Sequence, residues 1–328
     1  MGALAAAAAV RAGADCSVRV PVSGGRLMLP SLGLALPGGG RSSAMVRVTA
    51  EGARITSGGA RITVPADPHR DAPGWRGLRR VSAVCDGLRL DLLIDDLDPY
   101  RMPALGVRDR LTAAETQDWE SDLRAAWRLL VRRHPGTAAE IRGLIRVITP
   151  LAGPARGRSS ASSREVHGTI ALSAAGEPRA LALTLAHEVQ HVKLAMLLDA
   201  VALIRPGHQR RYYAPWRDDP RPIYGLLQGA YAHLGVADFW RRERRHQPHD
   251  VEPHAEFERW RSATLLACTE LLRGDGLTAT GTAFVNEMAR TLRDWGNEPI
   301  PPHAVRLARL RAERHRTLWS RHNGAPAR

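Results

Sequence analysis

The sequence predicts an α+β protein in which a small β-rich N-terminal segment precedes a mostly α-helical domain. Three features of the 328-residue chain carry that prediction. Up to about residue 107, short runs alternate apolar and polar residues and end in Gly-rich turns. Beyond Arg108, long stretches place apolar residues three and four apart, the helical period. The chain is 44% hydrophobic but only 5% aromatic, so its core must be built mainly from Ala, Leu and Val, as in helix-rich proteins.

Taken in order, residues 1–16 read as a flexible N-terminus. Their alanine run mimics a secretory signal, but it lacks a basic start, is too short and is interrupted by Arg11. Neither Gly2 nor Cys16 sits in a usable lipidation motif. The three cysteines (Cys16, Cys85 and Cys268) are far apart and in no metal spacing, which predicts a reducing, cytoplasmic location. Over 17–107, the segments Ser17–Pro21, Met45–Ala50, Ala60–Val64, Val81–Val84 and Leu88–Ile94 read as strands. The acidic run Asp91, Asp95, Asp96 and Asp98 fits no calcium-loop spacing and reads as a solvated strand end.

The helical domain, 108–322, opens on Thr112 with Glu115 three residues on, a capping box that starts a helix running to Arg133. A short helix over Thr137–Leu144 and a strand over Ile145–Thr149 follow, then a Gly/Ser/Arg-rich loop over Gly153–Arg164 and a strand over His167–Ser173. A long buried helix covers Pro178–Val201. Further helices are expected at Leu226–Arg242, Ala255–Leu272, Thr278–Trp295 and Ala304–His322.

The formal net charge is +14, and Lys193 is the only lysine among 47 basic residues. Such a surface attracts anions, whether acidic peptides, carboxylates or nucleic acid. Nucleic acid is the least favoured. The basic stripes Arg241–His246 and Arg306–Arg321 are interrupted by acidic residues, lack interleaved aromatics and match no recognition motif. They read as solvated helix faces. Pro248 and Pro253 break the helical spacing among His246, His249 and His254, which therefore read as a polar loop. No apolar run approaches the length of a membrane helix.

The informative segment is His187-Glu188-Val189-Gln190-His191. On a helix, positions i and i+4 share a face, so both imidazoles can reach one divalent metal while Glu188 approaches its open positions. Two surface histidines are the bland alternative. It leaves four polar groups unexplained inside an Ala/Leu/Val helix, where unpaired polar groups are costly. A third ligand is needed for a catalytic centre. Leu197 stands where a metzincin would carry it, and His233 is the best downstream candidate, with small neighbours Gly229, Ala230, Val236 and Ala237 to let its helix approach the metal helix. Asp199, His208, Asp218 and Glu252 are the remaining alternatives. Between the two helices lies Arg211–Pro222, dense in Arg, Asp, Pro and aromatic residues. Arg217 and Arg221 can present forks to a carboxylate, and Tyr213 and Trp216 can hold a substrate. The plainer reading is a rigid connector whose arginines pair with Asp218 and Asp219.

Residues 187–191, the loop Tyr212–Pro222 and the stretch Gly225–Gly235 together resemble the HExxH-motif proteins of ribosomal peptide natural-product (RiPP) clusters. These occur alone or fused to radical SAM/SPASM peptide-maturation proteins. The likeness is specific over about 180–242, and residues 17–107 resemble only loosely the stretch that precedes the domain in fused forms. It implies a zincin-like HExxH domain and a dioxygenase, dependent on Fe(II) and 2-oxoglutarate, that β-hydroxylates a residue of a ribosomally synthesised precursor peptide. By that resemblance His187 and His191 are iron ligands and His233 is the third, leaving open positions for 2-oxoglutarate and O2. Arg217 and Arg221 would hold the distal carboxylate of the cosubstrate, and Glu188 would orient a ligand or the peptide. The partners it suggests are the precursor peptide and a radical SAM/SPASM maturation enzyme. The same ligands around Zn2+ would instead make Glu188 the base of a metallopeptidase cutting a precursor peptide, with the strand His167–Ser173 pairing to its backbone. Spacing does not choose between the two. The resemblance and the Arg-rich loop favour the oxygenase.

Overall fold

A computed structural model describes residues 1–102, 106–153, 160–162, 166–174 and 176–324. The fold is mixed α+β and about 49% helical, with eight helices among the described residues. Contacts divide the chain into two compact units: Met1–Arg124 with Arg146–Ala161 and Thr169–Gly176, and Ala125–Ile145 with Ser162–Gly168 and Glu177–Arg328.

In the first unit, α1 (Gly2–Ala12) packs on β1 (Cys16–Pro21) and β2 (Leu27–Leu29). Residues 1–16, expected to be flexible, thus hold a packed helix. Alanine has the highest helix propensity, and its methyl lets α1 lie close to the strands. Ala6, Ala7 and Ala9 share a buried core with Val20, Val46, Ile55 and Trp75. β1 belongs to an antiparallel sheet of order β1-β4-β5-β6, formed with β4 (Ser43–Thr49), β5 (Gly52–Ser57) and β6 (Ala60–Thr63). Along β5 every second residue (Ala53, Ile55, Ser57) points inward, the two-residue period of a half-buried strand. A smaller sheet pairs β2, β3 (Gly33–Ala35) and β7 (Trp75–Gly77).

The remaining sheet has the order β11-β12-β10-β9-β8. Its hairpin of β8 (Arg79–Cys85) and β9 (Leu88–Ile94) is antiparallel, and β10 (Val147–Leu151) lies parallel to both β9 and β12 (Thr169–Ser173). β11 (Ser160–Ser162) forms the far edge. The division expected at 107/108 therefore does not separate the two units. β10 and β12 lie beyond it in sequence but pair, directly or through β10, with β9, and their near-continuous burial suits a parallel sheet. The strands begin at Val147 and Thr169, two residues later than expected at each. Most of the Gly/Ser/Arg-rich loop over Gly153–Arg164 lies outside the described residues.

The acidic run at the end of β9 is not a uniformly solvated edge. Asp96 is buried and accepts hydrogen bonds from Arg110 and from the Leu111 amide, 2.7 and 2.9 Å away, while Asp95 caps the amides of Leu97 and Asp98. Each of these two carboxylates has protein donors, so neither needs a cation. The capping box forms as expected at the head of α2 (Ala113–Arg133): the Thr112 amide donates to Glu115 at 2.7 Å, and the Glu115 amide donates to Thr112 at 3.2 Å.

The second unit is helical. α5 (Ile223–His246) packs on α4 (Pro178–Ala200) and on α6 (Val251–Arg273), which also packs on α7 (Ala279–Trp295) and α8 (Pro302–Asn323). α3 (Pro135–Leu144) packs on α4. The core between these helices is aliphatic, with Leu194, Leu226, Leu227, Leu271, Val285 and Leu292 all buried. Burial of each such side chain is worth about 1.5–3 kcal/mol. The basic stripe at the end of α5 is largely spent inside the unit, because Arg241, Arg244 and Arg245 converge on Glu298. No helix among the described residues is long and apolar enough to cross a membrane.

Candidate metal centre

Helix α4 starts where the sequence can cap it. Glu177 accepts hydrogen bonds from the Arg179 and Ala180 amides, each at 3.1 Å, and Pro178 occupies the first turn. Ten to fourteen residues on, His187 and His191 stand one turn apart with their Nε2 atoms 3.1 Å apart. Two nitrogens about 2.1 Å from one ion are separated by about 3.0 Å at a right angle and about 3.4 Å at a tetrahedral one, so the pair is already at coordinating distance. The donor atoms of His187, Glu188 and His191 all lie within 4.8 Å of one another. His233 stands beside this set, its ring edge-on to that of His187 with centroids 5.1 Å apart.

The hydrogen bonds fix which nitrogens are free to bind an ion. His191 Nδ1 donates to Gln228 Oε1 at 3.0 Å, and the Gln228 amide is oriented in turn by donating to the Tyr224 hydroxyl at 3.2 Å. His233 Nδ1 donates to the Gly229 carbonyl at 2.8 Å. With Nδ1 committed in this way, each ring keeps Nε2 as the nitrogen that would take a metal. Burial, reinforced by the neighbouring rings of His191 and His233, holds His187 well below the usual imidazole pKa. Burial likewise lowers His233 to about 3, against the Gly229 carbonyl, which favours its protonated form. Two imidazoles held neutral beside a third ring fit a divalent cation. Glu188 is 1% exposed, with Oε1 3.8 Å from His187 Nε2, so a carboxylate also faces this point.

No family model matches this chain, and neither does any curated protein.

The loop between α4 and α5 is closed at its base by the two-residue ladder of β13 (Arg211–Tyr212) and β14 (Arg221–Pro222). Its aromatics go to different places. Trp216 stacks on His233, with centroids 4.3 Å apart and planes 14° apart, and Trp260 of α6 covers the same imidazole at 4.7 Å. Tyr213 instead turns to α8, sharing a 2.9 Å hydrogen bond with His315 and packing edge-on against Trp319. The two arginines share one acid: Arg217 Nε and Arg221 Nη1 each donate to Asp219 at 3.0 Å, on separate oxygens. Asp219 takes both partners, where Asp218 was expected to share them.

The alternatives for a third ligand are engaged elsewhere. Asp199 faces His167, His208 lies between Tyr212 and Asp275, and Glu252 holds Arg311. The Asp218 carbonyl accepts a hydrogen bond from Asn323, and the Asp218 carboxylate acts electrostatically on His315 of α8. The three histidines expected in a polar loop are divided instead: His246 ends α5, His249 lies between the helices, and His254 is buried in the first turn of α6, where Pro253 is tolerated and His254 bonds the Pro248 carbonyl. Gln190 faces Glu140 and Lys193, so the chain's single lysine ties α3 to α4.

Two glycines set these approaches. A methyl on Gly235 would lie 2.6 Å from Gln190 Cγ, so this glycine lets α5 approach the metal helix. Gly229, expected to serve that purpose, instead makes room for Trp216, since its methyl would lie 2.4 Å from the indole Nε1. Gly229→Ala is accordingly expected to cost about 1–3 kcal/mol in chemical denaturation, the usual range for overpacking. The same substitution in a Trp216→Ala background should cost far less, because the colliding ring is gone. Equal costs in both backgrounds would mean that the indole does not rest on Gly229.

Sequence reasoning missed Gln228 and Trp260. A lone glutamine in the apolar start of α5 was a usable signal for the first. Nothing local marks the second, which reaches His233 from a helix that begins eighteen residues further along the chain.

Proposed function

We propose that this chain is a metal-dependent oxygenase that uses Fe(II) and 2-oxoglutarate to hydroxylate the β-carbon of a residue in a ribosomally made precursor peptide. The observation that carries the reading is the pair His187 and His191, their Nε2 atoms 3.1 Å apart, with the His233 ring 5.1 Å from that of His187 and the Nδ1 atoms of His191 and His233 committed to protein acceptors. The resemblance of 180–242 to HExxH proteins of RiPP clusters supplies the reaction class. In this reading α4 and α5 form a zincin-like core, the three histidines hold the iron, and a bound iron supplies one-electron chemistry with O2.

The chain's own groups would position the reactants. Arg217 and Arg221 converge on the two oxygens of one carboxylate, the geometry that gripping the far end of a dicarboxylate requires, and Asp219 now fills it. Trp216 stacks on the His233 ring and Trp260 packs against it at a tilt, and the imidazole is buried. Glu188, buried beside His187, orients a ligand or the peptide rather than serving as a base.

The test is aerobic incubation of the protein with Fe(II) and a candidate precursor peptide, with and without 2-oxoglutarate. A gain of about 16 Da on the peptide that requires 2-oxoglutarate is the expected result. Two shorter fragments formed with Zn2+ alone would replace this reading with the metallopeptidase. Arg221→Ala and Arg217→Ala are expected to raise the 2-oxoglutarate concentration needed for half-maximal turnover while metal content stays unchanged. An unaltered requirement in both variants removes the two arginines from the site.

A further inference from the structure

We propose that the cleft between α6 and α8 is a docking site for an acidic peptide segment in helical form. The cleft has a volume of about 320 Å3, and its floor is aliphatic: Ala263 and Leu266 of α6, Ala308 and Ala312 of α8, and Pro215 of the loop. Its charged groups are unequal. Arg259, Arg309 and Arg316 line the cleft together with Glu258 and Glu313, and Glu258 is already held by Arg261 and by the Ser262 hydroxyl. Arg311 is drawn away to Glu252 and Glu256, and Arg259 lies over Trp260. Arg316 bonds the Tyr213 hydroxyl, and among the described residues no carboxylate forms an ion pair with Arg309 or Arg316.

Those two exposed arginines are seven residues apart on α8, about 10 Å along its axis. An amphipathic helix with carboxylates at i and i+7 and apolar side chains at i+3 and i+4 repeats that spacing, setting its acids on the arginines and its apolar face on the floor. Nucleic acid fits less well. The floor is aliphatic, and Arg316 lies over the one lining aromatic ring, Tyr213, so no open ring is offered to a base. Pro215 adjoins Trp216, which stacks on His233, so an occupant of the cleft bears on the loop that covers the candidate metal centre. Calling this segment part of the precursor rests on the proposed function. The docking site itself does not.

The experiment is fluorescence anisotropy on the full chain, with a labelled alanine-based peptide carrying Glu at i and i+7 and Leu at i+3 and i+4. Wild-type protein should bind it. Arg309→Glu with Arg316→Glu should weaken binding at least about tenfold. Ala312→Trp, at an exposed position, fills the cleft without changing charge and should weaken it comparably. Arg54→Glu with Arg89→Glu, a matched charge reversal at exposed sites of the other unit, should leave the affinity within about twofold. The proposal is overturned by no binding to the wild type, by an equal loss in the charge-matched control, or by full binding to Ala312→Trp. A single-stranded oligonucleotide that displaces the peptide would assign the surface to nucleic acid instead. The readout needs neither metal nor turnover, so its failure leaves the oxygenase standing, and failed hydroxylation leaves the docking site standing.

Discussion

His191→Ala is expected to leave the protein folded but unable to retain a metal ion, and therefore inactive in either reaction class. The ring is only partly buried, on a helix whose cap and packing lie elsewhere, so its removal costs little stability. Its Nε2 is one of two nitrogens already 3.1 Å apart, and no other imidazole of α4 can replace it. Metal content of protein purified without oxygen and reconstituted with Fe(II) measures the effect. Gln228→Leu should give an intermediate result, with metal affinity about 10–100-fold weaker, because the ring is then free to turn and its tautomer is no longer held. Lys193→Met, on the same helix but facing Glu140, should bind metal normally. Stoichiometric metal in His191→Ala would place the ion elsewhere and end the proposed centre.

Much of the helical architecture was legible because its signals are local. Thr112 with Glu115, Glu177 before Pro178, and Thr278 before its helix are caps readable from a few residues, and the apolar period between them sets the helices. The HExxH spacing placed two imidazoles on one face for the same reason. What escaped was non-local. Nothing near Val147 says that it will pair with Leu93, and that pairing moves β10 and β12 into the N-terminal unit. The alanine run carries no apolar period long enough to announce a packed helix, yet in the fold its small side chains are what let α1 press on β1. In the loop, sequence could list Tyr213, Trp216, Arg217 and Arg221 together. Only the fold sends the tyrosine to α8, the tryptophan to His233 and both arginines to Asp219. Glycine positions carried more information than their count suggested, since Gly229 and Gly235 each mark a ring or side chain pressed on α5.

Glu243→Ala should be the most destabilising single change in the helical unit away from the metal. Glu243 is fully buried on α5, where Arg133 donates to one oxygen at 2.9 Å and His134 bonds the other at 3.0 Å. Phe239 stacks flat on His134 at 4.3 Å, so the imidazole cannot turn to another partner. Removing the acid leaves this buried ring and an arginine without their acceptor. Breaking a buried pair costs about 3–5 kcal/mol, and Arg133, one-third exposed and able to reach water, points to the lower end. Urea denaturation at neutral pH measures it. The dependence on pH gives an independent check. Burial alone would raise the Glu243 pKa, but the His134 hydrogen bond and the Arg133 charge outweigh it and hold the carboxyl below its ordinary 4.5. A folded pKa below the unfolded one means that this stabilisation is complete above about pH 4.5 and is lost as pH falls through the lower folded value. The stability gap between wild type and Glu243→Gln should therefore be constant from neutral pH down to about pH 5 and shrink below it. A gap that widens on acidification would mean that the acid is protonated in the native protein and the network is held by neutral hydrogen bonds instead.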